Sequence, residues 1–328
     1  MAMELMITNY PGADPIVDPF WPPVVDGVTV ELFRKLTPGK MTFTVLKTAV
    51  YPFYEGNWAQ LIWNGQNVFL GRVFTKTRDR MRHIKTVCYD QLRYLSGPNN
   101  KMNLEYKNRS AGSLLKEIAD LYELRWGLVD DTGYKVPKRK EVGVNPIDII
   151  QNNINETLTA TGELYVFYDN YGHLDLRNIK DMQLNILLDD ETAENYDYTS
   201  SIDKQTYNVI KIARDNEATG RKDVFISQSS YDIANWGKLQ YFEDSTTSTD
   251  PATKAGQLLA LYNEKTRELN IKNMFGDARV RPGCSLFVSL VLGDVIINHY
   301  MMVDQVTHRF TLSEHTMDLR LVGGTFVT

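Results

Sequence analysis

Val28–Leu46, VTVELFRKLTPGKMTFTVL, is the stretch on which the fold class turns. Val28, Val30 and Leu32 fall on one side of an extended chain, and Met41, Phe43 and Val45 do the same after the turn Thr37-Pro38-Gly39-Lys40. Residues two apart share a face of a strand, so the alternation predicts two strands, each with one apolar and one polar side. Downstream, Trp58–Phe74 (WAQLIWNGQNVFLGRVF) places Asn64-Gly65 between two apolar runs, and both residues tolerate the positive φ of a tight hairpin. His83–Asp90 (HIKTVCYD) adds a further strand that leads into DQLRYL. The opening region therefore predicts about five strands, folded as a small antiparallel barrel or sandwich.

Past Ser110 the apolar period changes. Leu114, Leu115, Ile118, Leu121 and Tyr122 recur at helical spacing, with Ser110 placed to cap the first turn. After the segment DDTGYKVPKRKEVGV (130–144), read as a loop, Asn145 and Pro146 open a second helix whose buried stripe is Ile147, Ile150, Ile154 and Leu158. ELYVFYDNYGHLDLRN then predicts a hairpin turning at Asp169 to Gly172. In the last third, TYNVIKIAR and KDVFISQ pair around the polar turn DNEATGR. A helix follows, capped by Asp250 and started by Pro251, with an apolar face of Ala255, Leu258, Leu259, Tyr262 and Leu269. GDARVRPGCSLFVSLVLGDVI and HYMMVDQVTHRFTLSEHTMDLRLVGG predict four or more strands, most simply a second barrel. The stretches near 100 and 246 are read as short polar loops. The resulting division is a first β domain over 1–96, an α+β middle domain with two helices and a hairpin over 97–195, and a second β domain over 196–328 with an inserted helix near 251–270.

Composition narrows the function classes. With 36 basic against 41 acidic residues the chain has a net charge of −5, without the basic excess that phosphate binding demands. Cys88 and Cys284 are its only two cysteines, too few for a disulfide framework or a zinc cluster. The amino terminus has acidic residues and prolines where a signal peptide needs basic residues and an apolar run, and no apolar stretch reaches membrane-spanning length. The expectation is synthesis in the cytoplasm, with no membrane span.

Catalytic signatures are missing. There is no Gly-x-Ser-x-Gly elbow, phosphate-cradling loop or dinucleotide fingerprint, and the many carboxylates give no way to choose a working pair. The sharpest metal idea joins His308 and His315, separated by six residues across a strand, turn and strand, with His299 or Asp304 as a third ligand. The plainer alternative has these histidines on half-buried strand faces, bonded to backbone or packed beside Phe310 and Met317. The acidic run DDETAENYD (189–197) lacks the ligand alternation of a calcium loop and reads as solvated. KVPKRK (135–140) is the one basic concentration, and Trp126 and Trp236 are either core or interface residues. No catalytic, cofactor or metal residue is assigned and no cofactor is expected, so the chain reads as a non-enzyme.

Three segments together carry a family resemblance: YDQLRYLSG (89–97), the Ser-capped SLLKEIADLYEL (113–124) followed by a Pro-started helix and hairpin, and VDQVTHRFTLSEHTMDLRLVG (303–323). In these the chain resembles the baseplate hub proteins of contractile tails of the XkdQ/YqbQ type, found in phages, prophages and R-type bacteriocins, and is more distantly similar to late-control D and other tail hub proteins. The resemblance implies a mainly β, α+β chain with two tail-tube-like antiparallel β-barrels joined by α+β segments. It implies a homotrimeric ring that adapts a sixfold tail tube to a threefold spike. The implied partners are the tube or tube-initiator protein, the central spike, baseplate wedge proteins and a LysM-bearing tail protein, without specific nucleic-acid binding. VFLGRVF and SLFVSLVL are then expected to offer edges for pairing between copies, around a channel with a mostly neutral or acidic wall. Ending at Thr328, the chain is expected to lack the lysozyme or peptidase domain fused to some other hubs. Two other readings are a tail-associated cell-wall hydrolase or metal-dependent enzyme, and a carbohydrate-binding module.

Overall fold

The computed structural model describes residues 3–8, 19–47, 53–192, 195–216, 218–245, 250–293 and 295–323. Six strands form the first sheet: β1 (Met3–Thr8), β2 (Val24–Phe33), β3 (Lys40–Leu46), β4 (Trp58–Trp63), β5 (Gln66–Arg78) and β6 (His83–Tyr89). They pair antiparallel in the order β1-β4-β5-β6-β3-β2. Asn64 (φ 50°) and Gly65 (φ 77°) turn β4 into β5 as their sequence predicts. The inward residues Val28, Val30, Met41, Phe43, Leu61 and Val73 are almost fully buried in one core.

The middle region begins with a short helix α1 (Leu92–Leu95), then β7 (Met102–Arg109), α2 (Ala111–Leu121), β8 (Trp126–Val129), β9 (Val136–Val144), α3 (Pro146–Thr161), β10 (Tyr165–Asp169) and β11 (Leu174–Asn178). Ser110 caps α2 by accepting the Ser113 N–H at 3.3 Å, and Pro146 opens α3. Leu114, Leu115, Ile118, Ile147, Ile150 and Ile154 pack into a shared core. Leu121, expected in that stripe, is 66% exposed at the end of α2. The segment read as a loop before α3 contains β9, antiparallel to β7; its alternation was hidden because the run VPKRKEVGV carries charges toward solvent and few apolar residues toward the core.

The remaining elements are β12 (Gln183–Asp189), β13 (Tyr196–Ser201), β14 (Val209–Asn216), β15 (Arg221–Gln228), α4 (Ser230–Trp236), β16 (Gln240–Asp244), α5 (Pro251–Tyr262), β17 (Thr266–Phe275), β18 (Ser285–Val291), β19 (Ile296–Phe310) and β20 (His315–Gly323). Asp250 caps α5 through the Thr253 N–H at 2.8 Å. The helix ends at Tyr262, short of the expected 270, because residues 266–275 form β17 and Leu269 points into a sheet core. Leu269 follows Tyr262 by seven positions, a spacing that suits a helix face but does not require one. After β17 there are three strands, fewer than expected, since β19 runs unbroken for 15 residues. The loop expected near 246 falls largely on 246–249, outside the described residues.

β19 is the organising strand. Its first half pairs β18, its second half pairs β2 on the same side, and β20 runs along its other side. Gln305–Phe310 against Phe33–Val28 thereby fuses two six-stranded sheets into one of 12 strands, the second being β12-β18-β19-β20-β17-β13. The fold is mainly β with few helices. Among the described residues the ladders trace an open path, with a single bridge from Ile7 to Phe20 outside the named strands. β14, β15 and β16 form a separate small sheet covered on one face by α5 through Ile210, Ile212, Ala255 and Leu258.

VFLGRVF and SLFVSLVL do not lie at edges. They form β5 and β18, each flanked on both sides, β5 by β4 and β6, and β18 by β12 and β19. Long apolar runs belong where both faces and both edges are covered.

Candidate assembly surface and buried polar centres

Strand alternation sends the apolar residues of both halves inward and leaves a polar face running across the fused sheet. One row is Thr316, Arg309, Thr29, Thr42 and Val87; the next is Asp318, Thr307, Glu31, Lys40 and Tyr89. Charges on this face neutralise one another locally: Arg309–Asp318 at 2.6 Å, Lys40–Glu31 at 2.5 Å and Arg320–Glu268 at 3.0 Å. Arg34, 2.7 Å from Asp304, ties the end of β2 to β19. A continuous polar sheet face of mixed charge suits prolonged contact with water.

The histidines part company. His308 and His315 meet across the β19–β20 pairing with Nδ1 and Nε2 at 3.0 Å, while His308 Nε2 lies 3.0 Å from the Val280 carbonyl. A carbonyl only accepts, so His308 carries its proton on Nε2 and accepts on Nδ1 from His315 Nε2–H. His315 Nδ1 is then a bare acceptor, buried and without a partner among the described residues. Phe310 stacks on His315 at 4.0 Å between centroids, and Trp63 meets its edge. His299 sits near the other end of β19, paired with Val288, and Asp304 is engaged by Arg34. The metal constellation weighed from sequence is thus only half assembled: two histidines come together, and among the described residues no three ligating side chains do.

Burial, reinforced by His315, pushes His308 down to about 3, and burial pushes His315 down to about 4. The unfolded chain takes up these protons near pH 6.5 and the folded chain refuses them until far lower pH. Their contribution to stability is therefore complete above about pH 7 and shrinks as pH falls, by up to about 1.4 kcal/mol per pH unit for His308. His308→Gln should lose less stability than the parent between pH 7 and pH 5 in urea titrations. An equal loss in both would show that the pair does not couple to folding.

A second buried centre, unsuspected from sequence, lies where the first sheet, the middle region and the β17–β18 connection meet. Leu32, Gly39, Asp90, Tyr168, Asp169 and Arg281 line a cavity of about 20 Å³ there. Asp90 accepts the Gly39 N–H at 2.8 Å and the Leu92 N–H at 3.0 Å, pinning the start of β3 to α1. Asp169 accepts the Gly172 N–H at 2.9 Å, and its Oδ2 is buried without a partner among the described residues. Burial and then the neighbouring Asp169 hold Asp90 well above the usual carboxylate range; burial also raises Asp169 to about 7, against the Gly172 N–H. The fold favours a protonated Asp169, so its contribution declines as pH rises from about 4 to 7, opposite in sign to the histidines. The histidine variant above is compared with the parent for this reason.

Other residues singled out from sequence lie at the surface. Trp126 is 40% exposed, held by Asp120 at 3.0 Å and by Lys116 over its ring, and Trp236 is only partly buried. The basic run alternates along β9: Lys138 reaches Glu105, whereas Arg139 turns toward Glu141 and Glu156. Glu156 also receives Lys254 at 3.3 Å, and Lys254 bonds Glu243 at 2.8 Å. This ion network joins β9 and α3 to α5 and β16; its members are far apart in sequence and gave no local signal. Of the acidic run 189–197, residues 193–194 lie outside the described residues; Asp189 caps the turn by accepting the Thr192 N–H at 3.0 Å.

A family model described as YQBQ-like matches residues 28–322. The phage-like element PBSX protein XkdQ of Bacillus subtilis (strain 168) is 25% identical over 309 residues, covering 91% of this chain and 92% of that protein. Among solved structures, the 43 kDa tail protein of prophage MuSo2 from Shewanella oneidensis aligns with a TM-score of 0.70 at 12% identity, over 99% of this chain and 100% of that one. A tail protein from Neisseria meningitidis MC58 aligns with a TM-score of 0.71 at 11% identity, over 100% of this chain and 98% of that one. At such identities these two show a shared fold.

Proposed function

Since the chain belongs to the YQBQ-like family, we propose that it is a structural component of a phage-type tail, the baseplate hub of a contractile injection tail. In this reading three copies form a ring that adapts a sixfold tail tube to a threefold spike. The observation that carries it is the fusion of two six-stranded sheets through β2 and β19, which gives each copy two six-stranded halves, so three copies present six. Each half is proposed to act as a tube-like barrel unit, with domains at 1–96, 97–195 and 196–328, and β12 lending a strand from the middle segment to the second sheet. The relative named as a phage-like element protein, covered over 92% of its length, and the two tail proteins that share the fold support the tail role.

The polar face is proposed to line the axial channel. Its interleaved ion pairs give a wall without net positive character, so a passing polyanion would find few cations able to release its counterions. The tube or tube-initiator protein, spike, wedge proteins and a LysM-bearing tail protein are the proposed neighbours, within a phage-tail or bacteriocin baseplate. Light scattering and electron microscopy of the purified full chain test this: a three-copy mass and rings with an open axis are expected. A single-copy mass at every concentration, with or without a spike protein, would sink the reading.

A further inference from the structure

The β10–β11 hairpin belongs to the middle region, yet its tip rests on the first sheet. Gly172 sits so close to β5 that a Cβ on it would stand 2.8 Å from Leu70 Cδ2, and the Tyr171 hydroxyl is buried beside the Gln60 side chain of β4. Asp169 shapes the tip by accepting the Gly172 N–H, and the Asn170 N–H donates to the His173 carbonyl at 2.6 Å. The base of the hairpin is fastened to the second sheet by apolar contacts, with Leu164, Val166 and Ile179 clustered against Met302 and Val322.

Two acids make a further contact between the tip and the first sheet. Asp169 lines the same cavity as Asp90, which follows β6 directly. At about 20 Å³ the cavity has room for one water molecule and not for a hydration shell. Asp169 Oδ2 has no hydrogen-bond partner there among the described residues. The other charged and titratable groups that face the pair relieve it little. Arg281 is engaged with Asn170 Oδ1 at 3.0 Å and with the Tyr168 ring beneath it. Tyr168 stays neutral, since burial pushes its phenol up. Asp175, which accepts the Leu128 N–H and the Asn170 amide, adds a further carboxylate. The Gln91 side chain favours a charged Asp169, but less than burial opposes it. Leu32, Phe33, Gly39, Leu92 and Pro282, the rest of the lining, carry no charge. A carboxyl enclosed in this way is favoured as the neutral acid.

We propose that the hairpin tip is a proton-controlled latch, seated on the first sheet while the Asp90–Asp169 pair is protonated and lifted as the pair ionises, with the base of the hairpin staying on the second sheet. A lifted Asp169 meets water and ionises near pH 4, roughly the ordinary carboxylate value. The seated one is raised to about 7, chiefly by burial. The seat is therefore strongest below about pH 4, weakens by about tenfold per pH unit above that, and loses nothing more through Asp169 beyond about pH 7. The middle region thus has one joint that responds to pH below neutrality and one, being apolar, that does not.

Amide hydrogen exchange of the full chain tests it, read by mass spectrometry on peptides over 168–174 at pH 5, 6 and 7 and corrected for the intrinsic pH dependence of exchange. Protection of the tip in the parent is expected to fall at least tenfold from pH 5 to pH 7, while peptides containing Met302 show no such fall. Asp169→Asn keeps an acceptor for the Gly172 N–H and carries no titrating group, so its tip should be equally protected at all three values. Circular dichroism matching the parent would show that this variant is folded. Should it not fold, a fall confined to the tip in the parent supports the latch on its own.

Flat corrected protection of the parent tip would overturn the inference, whether or not the variant folds. An equal fall in the parent and in Asp169→Asn would overturn it by placing the titrating group elsewhere. Protection at pH 7 regained with sodium or magnesium chloride, but not with tetramethylammonium chloride at equal ionic strength, would mean that the cavity takes a metal ion in place of the proton, and would overturn it as well. None of these outcomes bears on the ring reading, which the mass of the assembled particle decides.

Discussion

Replacing Lys254 with alanine is expected to remove about 3 kcal/mol of folding stability, the usual cost of breaking a buried ion pair from one side. Lys254 is only 3% exposed, and its ammonium lies between Glu156 and Glu243. Burial pushes this amine down, but the two carboxylates push harder and leave it above the ordinary lysine value. Without it, among the described residues Glu156 keeps only Arg139, and Glu243 keeps the Tyr241 hydroxyl. The loss falls at the lower end of the range because the Glu243 side chain retains 28% exposure. Lys254→Met combined with Glu156→Gln and Glu243→Gln should recover much of the loss, since the penalty lies in the stranded charges and not in the missing attraction. Urea denaturation followed by circular dichroism measures both; a loss under about 1 kcal/mol in Lys254→Ala would show that water reaches the network.

Gly27→Val is expected to be comparably damaging, at about 3 kcal/mol or more. Gly27 adopts φ +84°, and a Cβ there would stand 2.3 Å from the Phe310 carbonyl oxygen, a backbone atom that cannot swing aside. The collision occurs where β2 meets β19, at the pairing that makes one sheet of two. Gly65→Ala is the comparison: its φ is +77° and nothing lies within 4 Å, so only the left-handed backbone term of about 1–2 kcal/mol applies. Similar losses in the two would show that the β2–β19 junction yields easily.

Much of this architecture is local in origin and was legible in the residues. Period-two runs specify β2 to β6, because a strand with one buried face must alternate, and Asn64-Gly65 specifies its turn because few residue pairs accept two positive φ values. Ser110, Pro146 and Asp250 mark helix starts for reasons of hydrogen bonding and fixed φ alone. Where the local signal is ambiguous the residues alone do not decide: Leu269 fits a helical stripe and a strand equally, and the charged alternation of β9 has the composition of a loop.

The sequence by itself determined a mainly β chain with helices opening after Ser110 and at Pro146, a family resemblance, and a surface charge poorly suited to nucleic acid. Tertiary structure alone decided that β19 is shared between two sheets, that Asp90 lines one cavity with Asp169, that Lys254 closes a network begun at Arg139, and that the apolar runs VFLGRVF and SLFVSLVL are flanked on both sides. The reason is physical: periodicity reports which face of an element is buried, whereas the identity of its neighbour depends on contacts between residues far apart in the chain, which leave no local trace.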